Sequence, residues 1–166
     1  MAKYWKISPG PGGSNWEDWL KKSYCVLYDW KEQPYFDKIN TNLKNKYRSS
    51  EEFFEKAGYK GGLKNDWRQQ LKTFVWDITV GDYIFAYKKG SFVGWGKIEE
   101  KTGEYYYDDE GHKRNVEWIE FSPALNLEGT ELIKKLAVRS AGTIKNIDDY
   151  RGEINNLIRK KGLNIL

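Results

Sequence analysis

Apolar and polar positions alternate along the chain in two rhythms, one suited to strands and one to helices. Tyr4-Trp5-Lys6-Ile7 is rich in β-formers and halts at Ser8–Gly13, where two prolines and three glycines exclude regular structure. Ser14-Asn15-Trp16-Glu17 has capping-box spacing, with serine at the cap and glutamate three residues on. It predicts a helix of about two turns to Lys22, with Trp16, Trp19 and Leu20 on its buried side. Tyr24 to Tyr28 reads as a second strand ending at Asp29-Trp30, and Lys31 to Ser50 as loop with short helical pieces. Ser50 opens another short helix. Leu63, Trp67, Leu71, Phe74 and Ile78 then follow at spacings of 4, 4, 3 and 4, the stripe of an amphipathic helix.

From Gly81-Asp82 the rhythm changes to period two. Strands are predicted over Tyr83 to Lys88, Ser91 to Glu99, Tyr105 to Tyr107 and Arg114 to Phe121, with turns at Lys89-Gly90, Thr102-Gly103 and Asp108–Gly111. This reads as an antiparallel meander closed by Pro123. Leu132, Ile133 and Leu136, and later Tyr150, Ile154, Leu157 and Ile158, predict two terminal helices separated by Gly142-Thr143. Strands that cluster without a helix after each one argue for an α+β fold: a small, curved sheet or barrel with helices around it.

The 166 residues suit one domain, and no apolar run is long enough for a membrane span or secretory signal. A membrane partner is not expected, and the cytoplasm is the default compartment. With one cysteine, Cys25, and one histidine, His112, neither an internal disulfide nor a zinc site of the usual His/Cys type can be assembled within one chain. No cofactor is expected. The net charge of +4 makes an anionic partner plausible. Residues 38–72 carry nine Lys/Arg against four acids, and residues 134–166 eight against three. Lys88, Lys89, Lys113 and Arg114 fall in turns of the meander, where they could straddle a phosphate backbone.

No catalytic constellation stands out. His112 lies in a charged hairpin turn without a serine or cysteine partner motif, and Gly10–Gly13 lacks the Gly-Lys-Ser/Thr ending of a phosphate loop. Eight Trp and twelve Tyr exceed what one core of this size requires, and surplus rings suggest a pocket built for stacking. Trp16, Tyr28, Trp30 and Tyr105 stand at element ends beside glycine- or proline-rich loops. If those ends converge, they can cage a planar base, with Ser8, Asp29 and the backbone of Pro9 and Gly10 reading its edge. Trp5, Trp19, Trp67, Trp95 and Trp118 fall on apolar stripes and are assigned to the core, as is Cys25.

The ordered set Tyr4–Gly10, Trp16-Glu17, a strand closing on Trp30, a helix ending at Phe74, Ile78–Asp82, Val93–Ile98, Gly103–Tyr107 and His112–Trp118 resembles the PUA-like group. Within that group it is most similar to the EVE/YTH-type domains at the amino terminus of McrBC-type modification-dependent restriction proteins, over roughly residues 3–121. The resemblance implies a curved antiparallel β-barrel with peripheral helices, whose pocket takes a flipped, modified base from DNA, or an unpaired one from RNA. It places Ser8, Pro9 and Gly10 beside the base and Tyr28, Asp29 and Trp30 as cage wall. Glu117 matches an acidic base-contacting position of the YTH relatives. Asp29-Trp30 stands where related chains often have Gly-Trp, and Trp16, Trp76 and Tyr105 compete for the remaining wall. The expectation is a non-catalytic, monomeric reader of methylated double-stranded DNA, N6-methyladenine first. It would be the targeting module of a longer restriction NTPase, one that can oligomerise as a full-length protein. An RNA-binding module and a protein-interaction or small-ligand domain are the alternatives.

Overall fold

The computed structural model describes residues 1–28, 39–57, 65–137 and 143–165, so the Asp29 and Trp30 expectations lie outside the described residues. The strands are β1 (Tyr4–Ile7), β2 (Tyr24–Tyr28), β3 (Tyr83–Lys88), β4 (Ser91–Lys97), β5 (Tyr106–Asp108), β6 (Gly111–Asn115), β7 (Ile119–Asn126) and β8 (Ile144–Asn146). The helices are α1 (Trp16–Lys22), α2 (Leu43–Lys46), α3 (Ser50–Lys56), α4 (Asn65–Lys72), α5 (Glu131–Leu136) and α6 (Arg151–Lys160). A five-stranded sheet has the order β7-β4-β3-β1-β8, and a three-stranded sheet the order β2-β6-β5.

The fold is thus mixed α and β in two sheets, and it corrects two expectations. The larger sheet is not wholly antiparallel: β1 runs parallel to β3, with Tyr4 opposite Tyr83 and Ile7 opposite Ala86. A parallel partner requires a long crossover, which the helical stretch between β1 and β3 supplies. The meander is also broken, because the predicted strand Arg114 to Phe121 is two strands in different sheets, β6 and β7. At the junction Val116 donates its N–H to Ser23 O at 3.0 Å, and the Trp118 indole donates to Tyr24 O at 2.8 Å. These bonds hold the turn-over between the sheets.

Both faces of the larger sheet are covered, which explains why β1 is buried at every position. Trp5, Ile7, Ile84 and Ala86 point into a core shared with the smaller sheet and the preceding helices. Tyr4, Tyr83, Phe85, Phe92, Phe121 and Leu125 point the other way, into a second core under α5 and α6. Alternation along a strand separates the two sets. Buried Asp82 ties the layers together: its carboxylate accepts from Lys3 N and the Trp5 indole at 2.8 Å each and from Thr79 N at 3.0 Å.

The first helix starts one residue later than its sequence suggests. Ser14 N–H is taken by Pro11 O in a tight turn over Pro11–Gly13, so Asn15 flanks the helix, without a side-chain cap bond. Ser49 and Thr130 cap α3 and α5 by accepting from Glu52 N and Ile133 N. The amphipathic stripe ends in a wider π turn over Thr73–Asp77, closed by Ile78 N donating to Thr73 O. Among the described residues no helix is long and apolar enough to cross a membrane.

Candidate nucleic-acid interface

Parallel pairing brings the carboxyl ends of β1 and β3 side by side, and the loops that leave them meet. Ser8 N donates to Thr143 O at 2.9 Å, fixing the β1 exit to the start of β8. Gly10, Gly12 and Gly13 all have positive φ (71°, 61° and 75°). A methyl on Gly13 would stand 2.4 Å from Lys88 Cγ, so only glycine lets the loop lie against that lysine's stem. The β3–β4 turn has positive φ at both Lys89 and Gly90, the twist a tight hairpin needs. It lifts Lys89 into solvent beside Gly12, whose added methyl would lie 3.9 Å from the Lys89 stem.

Two further lysines border this end. Lys6 stands opposite Lys145 across the β1–β8 pair, and its ammonium lies 5.3 Å from the Tyr87 ring. Burial, together with the Lys145 charge, holds Lys6 down at about 8. None of the ion pairs of the described residues involves Lys88, Lys89 or Lys145. Within the loop, the Ser8, Pro9 and Gly10 carbonyls accept from Gly10, Asn15 and Gly13 N–H, respectively. Those backbone acceptors are occupied. The Ser8 hydroxyl is half-buried and has no hydrogen bond among the described residues.

The structure thus places Ser8, Pro9 and Gly10 on the strand exit that leads into Gly12 and Gly13 beside Lys88 and Lys89, and separates or buries the other expected site residues that lie within the described residues. Tyr28 ends β2 opposite Gly111. Trp16 is 2% exposed, edge-on to Trp118 at 5.3 Å, and fills the space left by Gly94, where a methyl would lie 2.4 Å from its ring. Tyr105 is buried, its hydroxyl accepting from Leu43 N at 3.1 Å and 2.8 Å from His112 Nδ1. Trp76 is half-buried and packs on Phe53. Trp16 and Tyr105 are thus core rings, while Trp76 keeps part of its surface exposed.

Two of the expected phosphate contacts are corrected. Arg114 is 1% exposed. It donates Nε to Phe74 O at 2.9 Å, Nη1 to Gly103 O at 2.8 Å, and Nη2 to Val75 O at 3.1 Å and Ile78 O at 2.9 Å. It caps the carbonyl end of the α4–π helix, where the backbone dipole is negative. Lys113 is buried, paired with Asp108 at 2.9 Å and Glu110 at 3.3 Å, over the Tyr24 ring. His112 is not in a turn but on β6, paired with Tyr107 and Leu27, fully buried, and burial pushes it down to about 4. Cys25 is buried as expected, its thiol pushed up.

Glu117 lies far from the Ser8–Gly10 loop. It is exposed on the β6–β7 connection, near the start of β2, and borders a hollow of about 340 Å³ with Tyr83, Trp95, Lys97, Glu99 and Ile119. That hollow is at the opposite end of β3 from Lys88, five residues or roughly 16 Å away. Trp95, expected in the core, is half-buried on the hollow's wall. The triplet Gly94-Trp95-Gly96 was the available signal. A methyl on Gly96 would stand 2.3 Å from Val116, so one face of the strand is bare for neighbours while Trp95 lies on the other, packed against the edge of the second core.

Fold and surface define a two-sheet α and β domain with a lysine-bearing loop cluster at one end of its larger sheet. The chain matches the model of a family described as a domain of unknown function (DUF8426) over residues 5–145, and it belongs to that family. No curated protein matches it.

Proposed function

We propose that this domain is a non-catalytic reader of methylated double-stranded DNA, which holds the backbone at the Lys88-Lys89 end and takes a flipped base beside the Ser8–Gly10 loop. The observation that supports this reading is the meeting of two sets of residues derived separately from the sequence. The loop that begins with the residues expected to border the base continues through Gly12 and Gly13, which lie against the stems of the lysines expected to hold phosphate. Among the described residues Lys88 and Lys89 have no carboxylate partner, which leaves their ammonium groups to an anionic backbone, and the Ser8 hydroxyl can read a base edge. In the finer reading, the two sheets are the walls of a PUA-like barrel. The domain then serves as the targeting part of a restriction system.

The test is a binding panel of otherwise identical duplexes carrying N6-methyladenine, 5-methylcytosine or no modification, measured at several salt concentrations, with a single-stranded RNA competitor. The expected result is preference for a methylated duplex, with affinity falling as salt rises. The Lys88→Gln/Lys89→Gln double variant should lower the salt slope by about two, one for each phosphate contact. Equal affinity for methylated and plain duplex overturns the modified-base reading. Preferential RNA binding transfers it to an RNA-binding module.

A further inference from the structure

The hollow at the other end of the larger sheet has a different chemistry. Trp95 and Ile119 are paired neighbours on β4 and β7, and Tyr83 lies next to Trp95 with ring centroids 6.0 Å apart. Glu99 and Glu117 stand on the rim and Lys97 between them, leaving an excess of negative charge. Lys97 already holds its ammonium 5.9 Å from the Tyr83 ring centroid, so a cation against these rings is part of the resting state. Among the described residues, four large apolar side chains are exposed: Met1, Val80, Ile119 and Leu163. Ile119 lines the hollow, Leu163 lines an adjoining depression that shares Ile165 with it, and Val80 lies in the turn before β3, one residue from Gly81, which donates its N–H to Ile98 O just past β4. Exposed apolar residues concentrated in one place mark interaction surfaces.

The geometry points to a docking site for a partner polypeptide that presents an arginine flanked by apolar residues. Its guanidinium stacks on Trp95 between the Glu99 and Glu117 carboxylates, and its neighbours cover Ile119, Val80 and Leu163. Charge complementarity selects this occupant. A planar cation gains from an aromatic face and from a carboxylate fork at once, whereas a phosphate-bearing nucleic acid meets two carboxylates. The two ends of the sheet then divide the labour, a basic end for an anion and an acidic, apolar end for a protein. This inference stands apart from the proposed DNA reading.

The test is a titration of the full chain with acetyl-Leu-Arg-Leu-amide, following the Trp95 indole N–H by NMR, with acetyl-Leu-Glu-Leu-amide and N6-methyladenosine as separate arms. The arginine peptide should shift the Trp95 signal saturably, with a dissociation constant on the order of millimolar. The glutamate peptide should leave it in place. Replacing the exposed rim acids, Glu99→Gln/Glu117→Gln, should weaken binding about tenfold at low salt and leave the rest of the spectrum and the Lys88-dependent duplex affinity unchanged. Trp95→Leu should weaken it about fivefold. The absence of a saturable shift, an equal response to the glutamate peptide, or tighter binding of the nucleoside at Trp95 overturns the proposal. Loss of duplex selectivity with peptide binding intact would instead bear on the reader proposal alone.

Discussion

Replacing Arg114 with methionine separates a structural role from a DNA contact. Methionine keeps much of the side-chain volume but removes all four hydrogen bonds to Phe74, Val75, Ile78 and Gly103 carbonyls, each between 2.8 and 3.1 Å. The guanidinium is fully buried, so those oxygens gain no water in exchange. Hydrogen bonds to a charged group contribute about 1.5–3 kcal/mol each, but removing the buried cation also removes its desolvation cost, so the sum is not additive. A loss of about 3–5 kcal/mol is expected, a large share of the roughly 5–15 kcal/mol typical of a folded domain. In equilibrium urea unfolding with a slope of about 2 kcal/mol per molar, the midpoint should fall by about 2 M. Arg114→Lys should recover less than half of the loss, because an ammonium lacks the planar fork that reaches carbonyls on two elements. A midpoint shift under about 0.5 M, combined with a salt slope for DNA binding lowered by about one, would refute the reasoning and restore Arg114 to the phosphate surface.

His112 predicts an acid-sensitive core. Its folded value near 4 lies below the ordinary 6.5 of histidine, so the unfolded chain binds the proton more readily; the stabilisation is complete above about pH 6.5 and disappears as pH falls toward 4. The difference corresponds to about 3 kcal/mol, and urea midpoints between pH 7 and 4 should lose this slope in His112→Gln. Gly94→Ala should cost about 1–3 kcal/mol in thermal or urea melts, since the new methyl lies 2.4 Å from the Trp16 ring and Ile119 O closes the other side at 3.0 Å. Gly152→Ala, on the first turn of α6 with nothing within 4 Å of the added carbon, should instead gain about 0.5–1 kcal/mol.

Elements governed by local chemistry were legible in the sequence. Tyr4–Ile7, Tyr24–Tyr28 and the hairpin through Lys89-Gly90 follow directly from β-rich runs and turn residues. Long-range partners were not. The parallel β1–β3 pair depends on residues far apart in the chain, and period-two alternation is the same for either direction. Arg114 and Lys113 read as solvated turn residues because nothing local distinguishes a basic residue awaiting phosphate from one awaiting buried carbonyls or carboxylates. Their placement one residue apart on a strand between β2 and β5 decides it. Trp16 likewise required knowledge of Gly94, which lies on another element. The Ser8–Gly13 loop and Lys88-Lys89 were identified singly, and their contact came only from the parallel strands that end beside each other.

The position of β1 also governs how this chain can be made. Its neighbours lie far downstream: Lys3 bonds to Asp82, 79 residues on, and Tyr4 to Asp148, 144 residues on. As it leaves the ribosome, β1 therefore waits unpaired until β3 has been made some eighty residues later, and its other edge stays open until β8 follows. Shortening the protein from the carboxyl side past β8 would strip one edge of β1, so stable halves should be hard to obtain and nascent chains should call on a chaperone.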